Sequence, residues 1–341
     1  MSFERFAKLT LVSIFLIIVA GAVVRMTGSG MGCPDWPKCF GLVVPPTSID
    51  QIEWNSGKNF SEGQMIIFEE QLWSAKNDFI SSDVYNQNNW TLYTKHDYAS
   101  FNPAHTWTEY VNRLIGAVSG LFTFIMLLMS FRYWEAKRKI VYLSALVVFL
   151  MGFQGWLGAR VVYSVLQPAQ ITIHMLMALV IVTFMVYLIS EIPKSNKKPS
   201  YVYDKGLKRI LMVAIVLSFI QIALGTQVRQ LIDEISSSFD YGQRELWLGL
   251  VGSTFVIHRS FAIVLMLVNA LLFWRNYKLS LGFKLVNAVF TVVLIEIISG
   301  VTLAYFDMMA IMQPVHMVVA TVLFVLQIAL YFQLKKSLIQ Q

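Results

Sequence analysis

Charged residues are scarce in this chain: Asp, Glu, Lys and Arg make up 14% of the 341 residues, while 56% are apolar. With a mean hydropathy of +0.60, that shortage excludes an ordinary soluble globular domain and points to a membrane protein. Cysteine is scarcer still. Only Cys33 and Cys39 occur. Two thiols without nearby histidine fall short of a metal-ligand set, and their spacing is not the Cys-x-x-Cys of a redox pair. Also missing is any single stripe of Lys and Arg. The net charge of +7 and isoelectric point near 9.3 therefore do not describe a nucleic-acid-binding surface. No small-residue cleavage pattern follows the first apolar run, which reads as a retained helix and not as a signal peptide.

What the chain does have is uncharged apolar sequence in lengths that cross a bilayer, about 20 residues each. Eight such runs occur, near 9–24, 114–131, 140–159, 171–190, 210–228, 253–274, 283–304 and 314–334. Between them, Lys and Arg gather on one side: Arg132, Lys137, Arg138 and Lys139; Lys194, Lys197, Lys198, Lys205, Lys208 and Arg209; Arg275, Lys278 and Lys284. Arg5 and Lys8 near one end, and Lys335 and Lys336 near the other, add to that side. By the positive-inside rule that side is cytoplasmic, both termini lie there, and even-numbered helices run from outside to inside. The expected fold class is an all-α membrane protein of eight transmembrane helices, with a long extracytoplasmic first loop over 25–110. That loop is rich in Asn, Ser, Trp and Tyr and should form a small cap, whose fold the sequence does not reveal. Cys33 and Cys39 fall in it, where an oxidising compartment and a short separation favour a disulfide.

The membrane region repeats itself. Gly21-Ala22-Val23-Val24-Arg25 at the end of span one corresponds to Gly225-Thr226-Gln227-Val228-Arg229 at the end of span five. Tyr110-Val111-Asn112-Arg113 opens span two as Val256-Ile257-His258-Arg259 opens span six. His174 and His316 open spans four and eight, behind Gln167-Pro168 and Gln313-Pro314. The chain is expected to be two repeated four-helix bundles, 1–190 and 191–341, so that a site in one half has a counterpart in the other.

Of five histidines, His174, His258 and His316 lie a few residues inside the outer end of an even-numbered helix. Ionisable groups within apolar spans are costly and mark function, and imidazoles facing each other across a four-helix bundle suit haem iron. His258 and His316 share one half and form a bis-histidine haem b candidate. In the first half the partner of His174 is Asn112, a poor iron ligand. That site is expected to be five-coordinate, or completed by water or another residue. His105, Glu109 and Asn112 share a face if helix two extends outward past Trp107. Glu109 could serve as acid, base or electrostatic stabiliser, or simply favour the helix N-terminus in a capping box with Thr106. His105 is either a stand-in ligand or a cap surface residue, and His96 is assigned nothing. Arg25, Arg113, Arg229 and Arg259 at outer helix ends could clamp propionates or snorkel to the interface. Glu296 is an intramembrane carboxylate that either functions or hydrogen-bonds across the bundle.

The stretch Val24-Arg25-Met26-Thr27-Gly28-Ser29-Gly30-Met31-Gly32-Cys33-Pro34-Asp35-Trp36-Pro37-Lys38-Cys39 resembles the signature that follows the first helix of the haem A synthase family. Glu109-Tyr110-Val111-Asn112-Arg113 is similar to that family's Glu-x-x-His-Arg motif, and His174, His258 and His316 agree with its other haem ligands. The resemblance covers the membrane region, with the first loop expanded. It implies a haem b cofactor held by His258 and His316 and a haem O substrate near His174. It also implies a functional carboxylate at Glu109, a Cys33–Cys39 disulfide, and oxidation of a porphyrin methyl group to a formyl group, supplying haem A to cytochrome oxidase. Asn112, where the family has histidine, departs from the pattern, and His105 is the candidate replacement. On pathway grounds haem O synthase and cytochrome oxidase assembly factors become partners, although no residue encodes the contact; a homo-oligomer is left open. Two rivals stand beside this reading: a di-haem b-type, quinol-linked electron-transfer cytochrome, and a transporter with binding between repeats.

Overall fold

The computed structural model describes residues 2–193, 201–239 and 241–339; the basic residues Lys194, Lys197 and Lys198 lie outside them. The described residues contain eight helices long and apolar enough to cross a membrane, and the protein is an all-α multi-pass membrane protein outside a small β-structured cap. In chain order the long helices are α1 (Phe3–Met26), α2 (Pro103–Ser130), α3 (Arg138–Tyr163), α4 (Pro168–Glu191) and α5 (Lys205–Ser238), then a short α6 (Arg244–Val251), then α7 (Ser253–Lys278), α8 (Lys284–Tyr305) and α9 (Met312–Ile339). Each of the eight apolar runs lies on one of the long helices. Proline stands in the first turn of α2, α4 and α9, at Pro103, Pro168 and Pro314, where its missing N–H and fixed φ are harmless. Asp204 caps α5 by accepting from the Leu207 N–H, and its carboxylate also accepts from Arg275 Nε at 2.6 Å.

Helix α2 begins at Pro103, with Asn102 Oδ1 accepting the Ala104 N–H at 2.9 Å. Thr106 therefore lies inside the helix, and its hydroxyl donates to the Gly32 carbonyl at 2.7 Å. The capping box expected of Thr106 and Glu109 does not form, because the cap position belongs to Asn102.

Large apolar side chains stay exposed along the spans, Leu16, Leu128, Phe149, Leu267 and Ile298 among them, the last at 64%. A soluble protein does not leave such surfaces bare, but hydrocarbon covers them without cost.

By contact density the chain falls into two compact units. One comprises Leu16–Leu121 and Gly152–His174; the other comprises Met1–Phe15, Phe122–Met151 and Met175–Gln341. The first unit contains the cap, which has five short strands: β1 (Asn59–Phe60), β2 (Met65–Phe68), β3 (Gln71–Ala75), β4 (Phe79–Ile80) and β5 (Trp90–Leu92). The β2–β3–β5 sheet is antiparallel, with Met65 opposite Ser74 and Ala75 opposite Trp90; β1 and β4 pair separately. Phe60, Ile66, Ala75 and Trp90 form one small core of the cap, and Cys33, Cys39, Phe40, Ile52, Met65 and Leu72 form the other. Gly41, at φ +73°, turns the chain from the cysteine loop into the sheet, and a Cβ there would meet the Gly63 carbonyl. In the second unit the apolar core of α5, α7, α8 and α9 is built on Leu207, Leu211, Leu272, Phe283, Val286 and Leu330. The short helix α6 packs Trp247 and Val251 against Ile232 and Met308.

Candidate functional site

The imidazoles of His258, on α7, and His316, on α9, have ring centroids 6.4 Å apart and planes inclined by 76°. Each lies against a glycine of a neighbouring helix. A Cβ at Gly225 on α5 would stand 3.2 Å from Cε1 of His258, and a Cβ at Gly300 on α8 would stand 3.2 Å from Cε1 of His316. Small residues at these points let the rings sink between helices. His316 Nδ1 is 2.8 Å from the Ser299 hydroxyl and 3.2 Å from Glu296 Oε1, both on α8. Gln221 donates its amide N–H to the backbone carbonyl of His258 at 3.0 Å. Several buried polar atoms around these rings have no partner among the described residues: His258 Nδ1, Gln221 Oε1 and Glu296 Oε2. Buried polar groups are normally satisfied, so such a cluster calls for a missing partner.

The first unit repeats part of this arrangement. His174 on α4 lies against Gly158 on α3, whose Cβ would stand 3.5 Å from Cε1. Gln154, also on α3, donates to the His174 carbonyl at 3.0 Å and reaches His174 Nε2 at 3.3 Å. Asn112, in the place of His258, directs Oδ1 toward Gly21 of α1, 4.0 Å from its would-be Cβ. That oxygen, Gln154 Oε1 and His174 Nδ1 are buried without partners among the described residues. His105 lies in the first turn of α2, so His105, Glu109 and Asn112 do share one helix and one face. Among the described residues the His105 imidazole makes no hydrogen bond or ring contact.

Cys33 and Cys39 form a disulfide, and α2 grips the loop that it closes. Glu109 Oε2 accepts the Cys33 N–H at 2.9 Å, and Glu109 Oε1 accepts from Arg113 Nε at 3.1 Å and from Arg113 Nη2. The Arg113 guanidinium further donates to the carbonyls of Asp35 at 2.7 Å, Lys38 at 2.9 Å and Cys33 at 3.4 Å. All its N–H groups thus serve the loop and its own helix. From the cap, Tyr93 and His96 both reach the Pro34 carbonyl, at 3.1 and 2.7 Å. Sequence reasoning assigned His96 no role; its only signal was nearness to an aromatic-rich stretch. Asp35 accepts the Gly41 N–H at 3.0 Å, and burial raises its pKa above the ordinary carboxylate value. The remaining arginines differ. Arg229 pairs with Asp233 at 2.7 Å and donates to Gln313, whereas Arg259 lies over the Phe255 ring at 5.6 Å and is otherwise exposed. Arg25 is half-buried at the end of α1.

A family model described as cytochrome oxidase assembly protein matches residues 4–81 and 63–328. The chain belongs to this family. Among curated relatives, one from Rickettsia prowazekii, named Heme A synthase, is 24% identical over 369 residues, covering 98% of each chain. Proteins of the same name are similar in Bartonella tribocorum, 24% identical over 84% of this chain and 79% of the relative, and in Shewanella oneidensis, 26% identical over 64% of this chain. The chain spans about half the length of the Shewanella relative, 54%.

Proposed function

We propose that this member of the family is a haem A synthase, an oxidoreductase that oxidises a methyl group of haem O to the formyl group of haem A. The reaction is two hydroxylations of the methyl carbon, each removing two electrons that pass to an external oxidant, followed by loss of water from the resulting gem-diol. The observation that carries the reading is the spacing of His258 and His316. Two metal–imidazole bonds of about 2 Å each, plus the half-widths of the two rings, come to about the 6.4 Å between centroids. One iron fits between them. Porphyrin nitrogens complete such a site, so the lack of any group of three or more His, Cys, Asp or Glu side chains suited to a metal among the described residues is no obstacle. The unpaired atoms around the rings suit the same occupant.

In this reading haem b is the resident cofactor of the 191–341 half, and when bound it supplies a one-electron redox centre. His258 and His316 would hold it, with Gly225 and Gly300 making room for their rings, and Arg229 and Arg259 would pair with its propionates. The 1–190 half takes haem O as substrate through His174, with Arg25 beside it. Asn112 would leave its side of the substrate site without a protein imidazole, so that water or oxygen could enter there, and His105 would have to move to replace it. Glu109 has both carboxylate oxygens engaged. Its role is to hold the cysteine loop over the substrate half and to place fixed negative charge there, with Arg113 as its counter-ion. The unequal halves weigh against a cytochrome with two matched, permanent haems. The charge pattern supports both termini in the cytoplasm, and a bacterial cytoplasmic membrane as the location. Haem O synthase and cytochrome oxidase assembly factors fit as partners on either side of the reaction.

The test is to express the chain with a haem O source, extract the pigments and identify them by mass. The formyl product is expected. Unaltered haem O bound to folded protein would overturn the proposal.

A further inference from the structure

We propose that Glu296 and Ser299 are positioning residues that lock His316 as a permanent iron ligand, and that their replacement by Gln154 and Leu157 in the duplicated half makes His174 an exchangeable one. The inference rests on the haem reading above. Gln154 and Glu296 occupy the same place in the repeat: each stands four residues before the glycine that packs on the histidine, Gly158 or Gly300, and twenty before the histidine itself. Ser299 corresponds likewise to Leu157.

The hydrogen bonds determine which nitrogen of each ring is free. A hydroxyl has one proton, and Ser299 donates its proton to the Glu296 carbonyl at 2.8 Å. Toward His316 Nδ1, also at 2.8 Å, the same oxygen must accept. This pattern assigns the His316 proton to Nδ1, with Glu296 Oε1 at 3.2 Å as a second acceptor. Its Nε2 lone pair is left for a metal. A ligating histidine whose other N–H is held by a carboxylate is oriented in advance and is a stronger donor. No cation is paired with Glu296 among the described residues, so its carboxyl group faces the ring alone.

In the other half the grip is reversed. Gln154 offers amide N–H groups to both the His174 carbonyl and His174 Nε2, so the amide covers the nitrogen an iron would need, while His174 Nδ1 has no acceptor among the described residues. A ligand bound there displaces the Gln154 N–H, and the N–H returns when the ligand leaves. A site that must accept one porphyrin and release its oxidised product needs this reversibility; a resident cofactor does not.

The experiment uses the full-length membrane protein purified with its haem, and compares wild type with Glu296→Gln, Glu296→Asp and Ser299→Ala. It reads the rate of haem transfer to an excess of apomyoglobin, and the midpoint potential by spectroelectrochemical titration. Loss of an outer-shell carboxylate partner typically costs 10- to 100-fold in metal affinity. Glu296→Gln is expected to speed haem loss about 10-fold or more and to move the potential positive, with Glu296→Asp intermediate and Ser299→Ala weaker. Conversely, Gln154→Glu with Leu157→Ser should slow release of porphyrin from the first half. Wild-type haem b retention and potential in Glu296→Gln would overturn the proposal. Wild-type protein without a low-spin bis-histidine haem would instead overturn the haem reading beneath it.

Discussion

Replacing Gly300 by alanine separates haem binding from helix stability. The added Cβ would stand 3.2 Å from Cε1 of His316, inside the roughly 3.5–4.0 Å at which carbons pack comfortably. The ring must retreat by a few tenths of an ångström. Its Nδ1 is held at 2.8 Å by Ser299 and at 3.2 Å by Glu296, both on the helix that carries Gly300, so retreat lengthens those contacts and turns Nε2 away from the iron. Overpacking of this kind costs about 1–3 kcal/mol, equivalent to about a 5- to 150-fold loss of haem affinity. Against it, exchanging glycine for alanine within a helix gains up to about 1 kcal/mol. Haem affinity should therefore fall by about one order of magnitude while the thermal midpoint of the haem-free protein holds or rises. Haem retention against apomyoglobin and thermal unfolding in detergent measure the two. Gly158→Ala is the control, since its Cβ would meet His174 Cε1 at 3.5 Å, an ordinary contact. Haem binding as tight in Gly300→Ala as in wild type would refute the reasoning.

Gly32→Ala places a Cβ 2.5 Å from the carbonyl carbon and oxygen of His105, backbone atoms within α2 that cannot give way. The cysteine loop should lift, breaking the Cys33–Glu109 and Thr106–Gly32 hydrogen bonds at a cost of about 2–6 kcal/mol, since each partner left buried and unsatisfied costs about 1–3 kcal/mol. Faster proteolysis of the cap reports it, and an unchanged cleavage pattern would contradict it. Asp35 supplies a pH dependence. Its folded pKa is raised chiefly by burial, over the opposing Gly41 hydrogen bond and the Arg113 charge, so its contribution to stability is greatest below its unfolded value of 3.8 and is lost as pH rises through the folded value. Asp35→Asn is then expected to be more stable than wild type at neutral pH, with the advantage shrinking on acidification. An advantage that grows as pH falls would show the sign to be wrong.

The spans and their breaks were legible because hydrocarbon imposes long uncharged runs and proline marks the first turns at Pro103, Pro168 and Pro314. The recurrence of glycine and histidine was legible at Gly21 and Gly225 and at His174 and His316. The cap was not: its strands are two to five residues long, too short for alternation to show, and are held by an aromatic cluster around Trp90 and Phe60. Helix α6, eight residues long, is not marked in the sequence because its apolar stretch, Leu246 to Val251, is far too short to cross a bilayer. Thr106 was misjudged because its hydroxyl finds the Gly32 carbonyl, a partner distant in sequence. Glu109 and Arg113 were singled out from a motif, yet their engagement with the cysteine loop depends on the tertiary fold. Likewise the contrast between Glu296 and Gln154 needed the side-chain directions, since sequence alone gave only a carboxylate within a span.

The most direct test of the central claim, that His258 and His316 grip one iron, is the low-temperature electron paramagnetic resonance spectrum of the purified protein and of His258→Ala and His316→Ala. The account predicts a low-spin bis-imidazole signal in the wild type that each substitution abolishes. A low-spin signal surviving in either variant would contradict it.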